Sequence, residues 1–374
     1  MEPFPAIHKK FGFGMMRLPM INDGKDVDFE QVSQMVDLFL ENGFNYFDTA
    51  HPYLNGQSEV AVRKCLAERH PRDSYILTNK LTGTYFSSEE EIRPFFFQQL
   101  KDCGVEYFDF YLMHAQSANN YPKFQQTHAY ETAFALKEEG YIRHVGLSFH
   151  DTPEMLDQIL TDHPQIEIVQ LQFNYIDYEN PYVLSKGCYD VCVKHGKPVI
   201  VMEPVKGGTL VKLPPAAQDV LDELQGGSNA SYAIRFAASF DDVRMVLSGM
   251  SNLEQMEDNI SFMKDFQPLT ETEMDAVAAV RKILSEQQTI PCTACHYCVE
   301  ENSCPQGIEI PEIFAAWNIF KTLDDFAAKG HYKSQLSQEG GKASDCIGCK
   351  GCESVCPQHL EISSLLQTIS EEWD

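Results

Sequence analysis

From about residue 27 to residue 260 the chain alternates between two hydrophobic patterns. One is the short, nearly continuous apolar run: 46–50 (YFDTA), 74–80 (SYILTNK), 107–114 (YFDFYLMH), 144–150 (HVGLSFH), 167–175 (EIVQLQFNY), 197–205 (KPVIVMEPV) and 243–251 (VRMVLSGMS). Continuous runs of this length predict strands covered on both faces, as in a parallel sheet. The other is a longer amphipathic stretch, such as 28–43, with apolar Val32, Met35, Val36, Leu38, Phe39 and Leu40. Similar stretches cover 58–69, 90–104, 129–140, 152–162 and 182–196, and Gly43, Gly104, Gly140 and Gly196 close four helices. With 11–19 (FGFGMMRLP) as the opening strand, the pattern makes eight strand–helix units, the order and size of a (β/α)8 TIM barrel in the α/β class. A doubly wound open sheet is the alternative. Its phosphate fingerprint is missing, because Gly12 and Gly14 supply only GxG, which reads as a turn mark.

The pattern changes after residue 265. Residues 266–290 read as a polar boundary and a linker helix, which assigns 1–265 to the barrel. Residues 291–374 hold eight of the twelve cysteines and two helix-like stretches, 310–330 and 363–373. This last domain is therefore expected to be mainly helical.

Composition narrows the function classes. Hydrophobic residues make up 43% and charged residues 22%, enough apolar material for a large core. Lys and Arg number 29 against 55 Asp and Glu, a net charge of −26. Such a surface repels phosphate backbones and anionic lipid, so neither nucleic acid nor membrane is expected as a partner. No apolar run approaches the roughly 18 residues of a membrane span, and no secretory segment opens the chain, so a cytoplasmic protein is expected.

A reducing compartment makes clustered cysteines read as metal or redox ligands. Cys65, Cys103, Cys188 and Cys192 are scattered and read as packing residues. The rest form two runs. Cys292, Cys295 and Cys298 are followed by Cys304-Pro305, and Cys346, Cys349 and Cys352 by Cys356-Pro357. The second run has the C-x2-C-x2-C-x3-C-P spacing of bacterial 4Fe-4S ferredoxins, and the first differs only in its final gap. In two-cluster ferredoxins the Cys before Pro ligates the other cluster. The expected sets are Cys292, Cys295, Cys298 and Cys356 for one cluster, and Cys346, Cys349, Cys352 and Cys304 for the other. Structural zinc is the alternative for four thiolates. Cys292-x-x-Cys295-His296 also fits a c-type haem attachment, against which the missing export signal and the ferredoxin run both count.

Four polar residues end four successive strand runs: Asp48, Lys80, His114 and Ser148. Tyr53 follows Asp48 in the loop DTAHPYLNG. In a barrel the strand C-termini share one face, so these side chains are expected to converge. A free tyrosine titrates near about 10, too high for proton transfer at neutrality. A neighbouring Lys ammonium favours the phenolate, and Asp48 would hold that Lys in place.

On these residues, DTA-x2-Y over Asp48–Tyr53, the strand-ending Lys80 and the strand-ending His114, residues 10 to about 265 resemble the aldo-keto reductase family. Residues 291–374 resemble the ferredoxin-like extension of one bacterial and archaeal branch of that family. The resemblance implies an NAD(P)H-dependent oxidoreductase that reduces a carbonyl to an alcohol, or the reverse. Tyr53 would be the acid–base, Lys80 and Asp48 would tune it, and His114 would orient the carbonyl. Cofactor contacts implied are Ser148 and Gln170 at the carboxamide, Lys206, Gly207 and Gly208 at the pyrophosphate, and Asp258 and Asn259 at the adenine. At Ser148 the family's following Asn is replaced by Phe149, and no ring-stacking aromatic is evident in 199–205. Gly249-Met250 and Gln255 stand where the family grips a 2′-phosphate, so NADP(H) and NAD(H) both stay open. His51 and Arg17 would line the substrate pocket or pack the loops. The expected partners are a small-molecule carbonyl or alcohol and, if the clusters carry electrons, a one-electron redox protein. The clusters would otherwise only fold the tail. The reading from another class is an electron-transfer or redox-sensing protein on a non-catalytic barrel.

Overall fold

The computed structural model describes residues 7–374 apart from 23, 181–182, 225, 287–288, 301–303 and 324–325. The chain divides into two compact units. The first holds the chain up to Glu179, Leu184–Pro204 and Ala230–Thr270; the second holds Asn180–Val183, Val205–Asn229 and Glu271–Asp374.

The strands of the first unit are β1 (Phe11–Gly14), β2 (Met20–Ile21), β3 (Asp26–Val27), β4 (Tyr46–Asp48), β5 (Ile76–Leu81), β6 (Phe108–Gln116), β7 (Ile142–Phe149), β8 (Ile168–Gln172), β9 (Val199–Met202) and β10 (Val243–Gly249). Eight of them close a parallel barrel in the order β1-β10-β9-β8-β7-β6-β5-β4, with β1 pairing back onto β4. The short β2 and β3 form a separate antiparallel hairpin that the apolar pattern does not signal. All eight barrel runs are found where the sequence predicts them, but β5 ends one residue later, β6 two residues later and β7 starts two residues earlier than expected, while the other five are trimmed.

The barrel is filled by Tyr46, Ile76, Phe110, Leu112, Ile168, Ile200, Met245 and Leu247, one apolar cluster drawn from six strands. Strand side chains alternate, so Asp48, His114 and Gln170 stand on the same face two residues beyond Tyr46, Leu112 and Ile168, and Lys80 stands four residues beyond Ile76. The interior is thus an apolar plug below and a polar layer at the strand C-termini. Gly12 is not a turn residue as its GxG context suggests. It lies inside β1, where a Cβ would come within 2.7 Å of Leu247 and 3.0 Å of Tyr46. Only a residue without a side chain leaves room there for the plug.

Helices appear where the amphipathic stretches predict them. Asp28 caps Phe29–Glu41 by accepting from the Gln31 amide, and Val32, Met35, Val36 and Phe39 form its buried face. Gly104 ends Glu89–Cys103 with φ of 69°, the left-handed cap that glycine adopts without strain.

The second unit is helical. Ile310, Ile313, Phe314 and Trp317 recur at helical spacing on Ile310–Leu323, and Ile362, Leu366, Ile369 and Trp373 on Ile362–Trp373. Both faces enter one core, where the Trp317 and Trp373 rings lie 5.3 Å apart. Pro215–Asp222 packs on Glu271–Ser285. Among the described residues, no helix is long and apolar enough to cross a membrane.

Candidate active site and cysteine centre

Lys80, on β5, is fully buried. Its ammonium donates to Asp48 Oδ1 at 2.6 Å, to the Thr49 carbonyl at 2.9 Å and to the Tyr53 hydroxyl at 3.1 Å. It also stands 4.7 Å from the centre of the Tyr53 ring. Asp48 Oδ2 accepts from Gln170 Nε2 at 3.1 Å. Burial pushes the Asp48 carboxyl up, against the pull of Lys80 and the Gln170 amide. Burial likewise pushes the Lys80 ammonium down, against the pull of Asp48. Their close contact is what makes two buried charges tolerable here. The loop carrying Tyr53 is strained, because Leu54 and Asn55 both sit at φ of 53°. Strain of this kind persists only where surrounding contacts hold it, and it concentrates at functional sites.

The His114 ring lies 6.0 Å from the Tyr53 ring and edge-on to it. Burial, then the Lys80 charge, then His150, hold its imidazole well below the usual range, so it is neutral at pH 7. Its Nδ1 is 2.7 Å from Thr82 Oγ1. Directly after His114 the β6–β7 register shifts and Ala115 takes φ of 50°. A bulge at this point re-aims the strand end. The Ala115 amide then donates to Ser148 Oγ at 2.7 Å, which ties β6 to β7.

The structure therefore brings Asp48, Tyr53, Lys80 and His114 together at one end of the barrel, with Gln170 bonded to Asp48 and Ser148 beside the bulge. Two groups were not singled out from the sequence. Thr82 stands opposite His114 because β5 and β6 pair Lys80 with Leu112; its signal was a hydroxyl two residues after Lys80. Glu59 is fully buried and accepts from Asn79 at 2.8 Å, while its other oxygen is 2.6 Å from His51 Nδ1. That bond raises the His51 imidazolium above its usual range. His51 is also flanked edge-on by Tyr85 and Phe95. Arg17 pairs with Glu203 at 3.2 Å. Asn259 is buried and donates to Ser248 Oγ at 3.0 Å, and its neighbour Asp258 is partly exposed. Both lie on Leu253–Met263, a helix capped by Asn252.

In the second unit, Cys292, Cys295, Cys298 and Cys356 line one pocket, with Thr293, His296, Ile310 and Gln358. All twelve cysteines are free thiols. Burial pushes Cys292 up to about 11, and burial with its neighbours Cys295, Cys292 and Cys356 pushes Cys298 well above the thiol range. Four free thiols that line one pocket are a donor set suited to a cationic centre, which fits a cluster or zinc. Cys346 and Cys349 lie within electrostatic reach of Cys352, whose thiol is pushed up to about 11, mainly by burial. Cys304 and Cys346 pack against the same helical core. Lys206, Gly207 and Gly208 form a single tight turn in this unit. Lys206 is buried and 3.4 Å from Gln358 Oε1, whereas the space around the Gly208 α-carbon is open.

Residues 10–282 match the aldo/keto reductase family, and residues 291–360 match the 4Fe-4S dicluster domain. An uncharacterised oxidoreductase of Schizosaccharomyces pombe is 26% identical over 265 residues, covering 67% of this chain and 80% of that protein. The holo form of an aldo-keto reductase from Bacillus halodurans superposes with a TM-score of 0.60 at 25% identity, covering 73% of this chain and 92% of that one. An aldo/keto reductase from Klebsiella pneumoniae, solved with NADP and acetate, gives 0.60 at 20% identity over 73% of this chain and 91% of that one, a likeness of fold.

Proposed function

Because this chain belongs to the aldo/keto reductase family and ends in a 4Fe-4S dicluster domain, we propose that it interconverts a small-molecule carbonyl and its alcohol, with Tyr53 as the proton donor and acceptor. The observation that carries this reading is the 3.1 Å contact between Lys80 Nζ and the Tyr53 hydroxyl, with Lys80 itself held 2.6 Å from Asp48.

A bound nicotinamide cofactor, NADP(H) or NAD(H), supplies or accepts the hydride at the substrate carbon, and 4Fe-4S clusters carry electrons one at a time. The chain's own residues do the rest. Tyr53 delivers its hydroxyl proton to the developing alkoxide oxygen, and the adjacent Lys80 ammonium stabilises the negative charge left on Tyr53. Asp48 keeps Lys80 in place, and Gln170 keeps Asp48 in place. With Thr82 donating to His114 Nδ1, the neutral ring carries its proton on Nε2, where it serves as a donor that orients the carbonyl oxygen. Ser148 and Gln170 are proposed to meet the carboxamide, Gly208 the pyrophosphate, and Asp258 and Asn259 the adenine. Lys206 and Gly207, the other two expected pyrophosphate contacts, lie against the cysteine segment. Within the second unit, Cys292, Cys295, Cys298 and Cys356 are proposed to hold one cluster, and Cys304, Cys346, Cys349 and Cys352 the other.

Tyr53→Phe tests the assignment. It keeps the ring and removes only the transferable proton. The expected result is a loss of about 100-fold or more in carbonyl reduction, within the usual range for a general acid. Reduction at the wild-type rate by the purified variant would overturn it.

A further inference from the structure

The turn after β9 carries a lysine that neither the proton-transfer site nor the cysteine ligand sets use. Lys206 has 2% of its surface exposed in a chain with 26 excess negative charges. Solubility gives no reason to bury it. Its ammonium reaches Gln358 Oε1 at 3.4 Å, and Gln358, itself 4% exposed, lines the pocket formed by Cys292, Cys295, Cys298 and Cys356. Gln358 is also two residues after Cys356 in the chain.

The backbone beside Lys206 is pressed onto the same pocket. A Cβ on Gly207 would fall 2.4 Å from the Thr293 carbonyl oxygen and 2.9 Å from its α-carbon, contacts no side chain tolerates. Thr293 adjoins Cys292 and lines the pocket. Three successive residues, Lys206, Gly207 and Gly208, take φ of 48°, 61° and 96°. For Lys206 that conformation is costly, and it persists only because the surroundings impose it. The turn is therefore a fixed support that delivers one positive charge to the cysteine pocket.

We propose that Lys206 is a redox-tuning residue, which raises the reduction potential of the cluster held by Cys292, Cys295, Cys298 and Cys356. The inference rests on the proposed ligand set. Each one-electron reduction adds a single negative charge to the pocket and breaks no bond. In a buried site the added charge is poorly solvated, so a fixed cation bonded to a residue that lines the pocket favours the reduced form.

The test uses the holo-protein under anaerobic conditions. Wild type, Lys206→Arg, Lys206→Gln and Lys206→Met are assayed for iron and sulfide, then titrated with dithionite and followed by electron paramagnetic resonance. In both neutral variants one transition should move to lower potential by tenfold or more in its equilibrium constant, about 59 mV for one electron. The other transition should stay in place, and Lys206→Arg should keep both wild-type values. If the neutral variants lose iron, Gln358→Glu carries the test, because it sets a carboxylate beside the ammonium and should lower the same transition. Transitions within threefold of wild type in the iron-replete neutral variants, or in Gln358→Glu, overturn the proposal. Wild-type protein without four-iron signals overturns the ligand assignment, and this proposal with it.

Discussion

Thr82 Oγ1 lies 2.7 Å from Nδ1 of His114, and with the hydroxyl as donor the proton of the neutral ring stands on Nε2. Thr82→Val keeps the shape and removes the hydroxyl. A neutral hydrogen bond contributes about 1 kcal/mol, so kcat should fall roughly fivefold. KM should change less than kcat if the ring's proton is used mainly as charge develops on the carbonyl oxygen. An unchanged kcat in steady-state assays would remove Thr82 from the mechanism. Because burial and Lys80 hold His114 neutral, no rate change near pH 6.5 should trace to its ring in either protein.

Asp48→Asn leaves the fully buried Lys80 ammonium without its carboxylate. Breaking a buried pair on one side costs about 3–5 kcal/mol, far more than the variant's small change in volume suggests. Urea unfolding should show this as a lowered midpoint with an unchanged slope. The double variant Asp48→Asn with Lys80→Met should regain part of the stability and none of the activity. A double variant no more stable than Asp48→Asn would show that the damage is packing, not charge.

Cys356 is 58 residues further along the chain than Cys298, yet both line the same pocket, while Cys304 follows Cys298 closely in the chain. Cys356→Ala should therefore remove the paramagnetic signal belonging to the Cys292, Cys295 and Cys298 set. Cys304→Ala should remove the other. The opposite pairing of losses would mean that each run holds its own cluster.

Glu167 gives a pH dependence with a definite sign. Burial pushes its carboxyl up, but hydrogen bonds from His144 and Lys137 outweigh burial and bring it down to about 2. A depressed carboxyl stabilises the fold fully above its ordinary value near 4.5 and loses that contribution as pH falls toward 2. The stability difference between wild type and Glu167→Gln should be constant from pH 7 to 5 and shrink below that. A gap that stays level down to pH 3 in urea titrations would contradict the assignment.

The eight strands were legible because each is an apolar run between helical stretches of the right period, and parallel strands covered on both faces leave that mark. Asp48, Lys80 and His114 stood out for a related reason. Each interrupts an apolar strand with a charge or a ring at its end, and the barrel topology sends all such ends to one face. The spacing of the cysteines could be read because metal ligands in short loops repeat at fixed intervals.

What the tertiary structure decided depends on register and approach, which no local pattern encodes. The pairing of Lys80 with Leu112 sets Thr82 against His114, and a one-residue slip would turn both away. Gly12 belongs to the strand because the side chains of Tyr46 and Leu247, from other strands, fill the space its own would need. The family resemblance puts Lys206 among the expected pyrophosphate contacts. Folding buries it beside Gln358 and the first cysteine set, 86 residues before Cys292 in the chain. Residue type and spacing along the chain determined which groups could do chemistry. Only the closing of the barrel and the packing of the helical unit decided which of those groups stand within hydrogen-bond reach of one another.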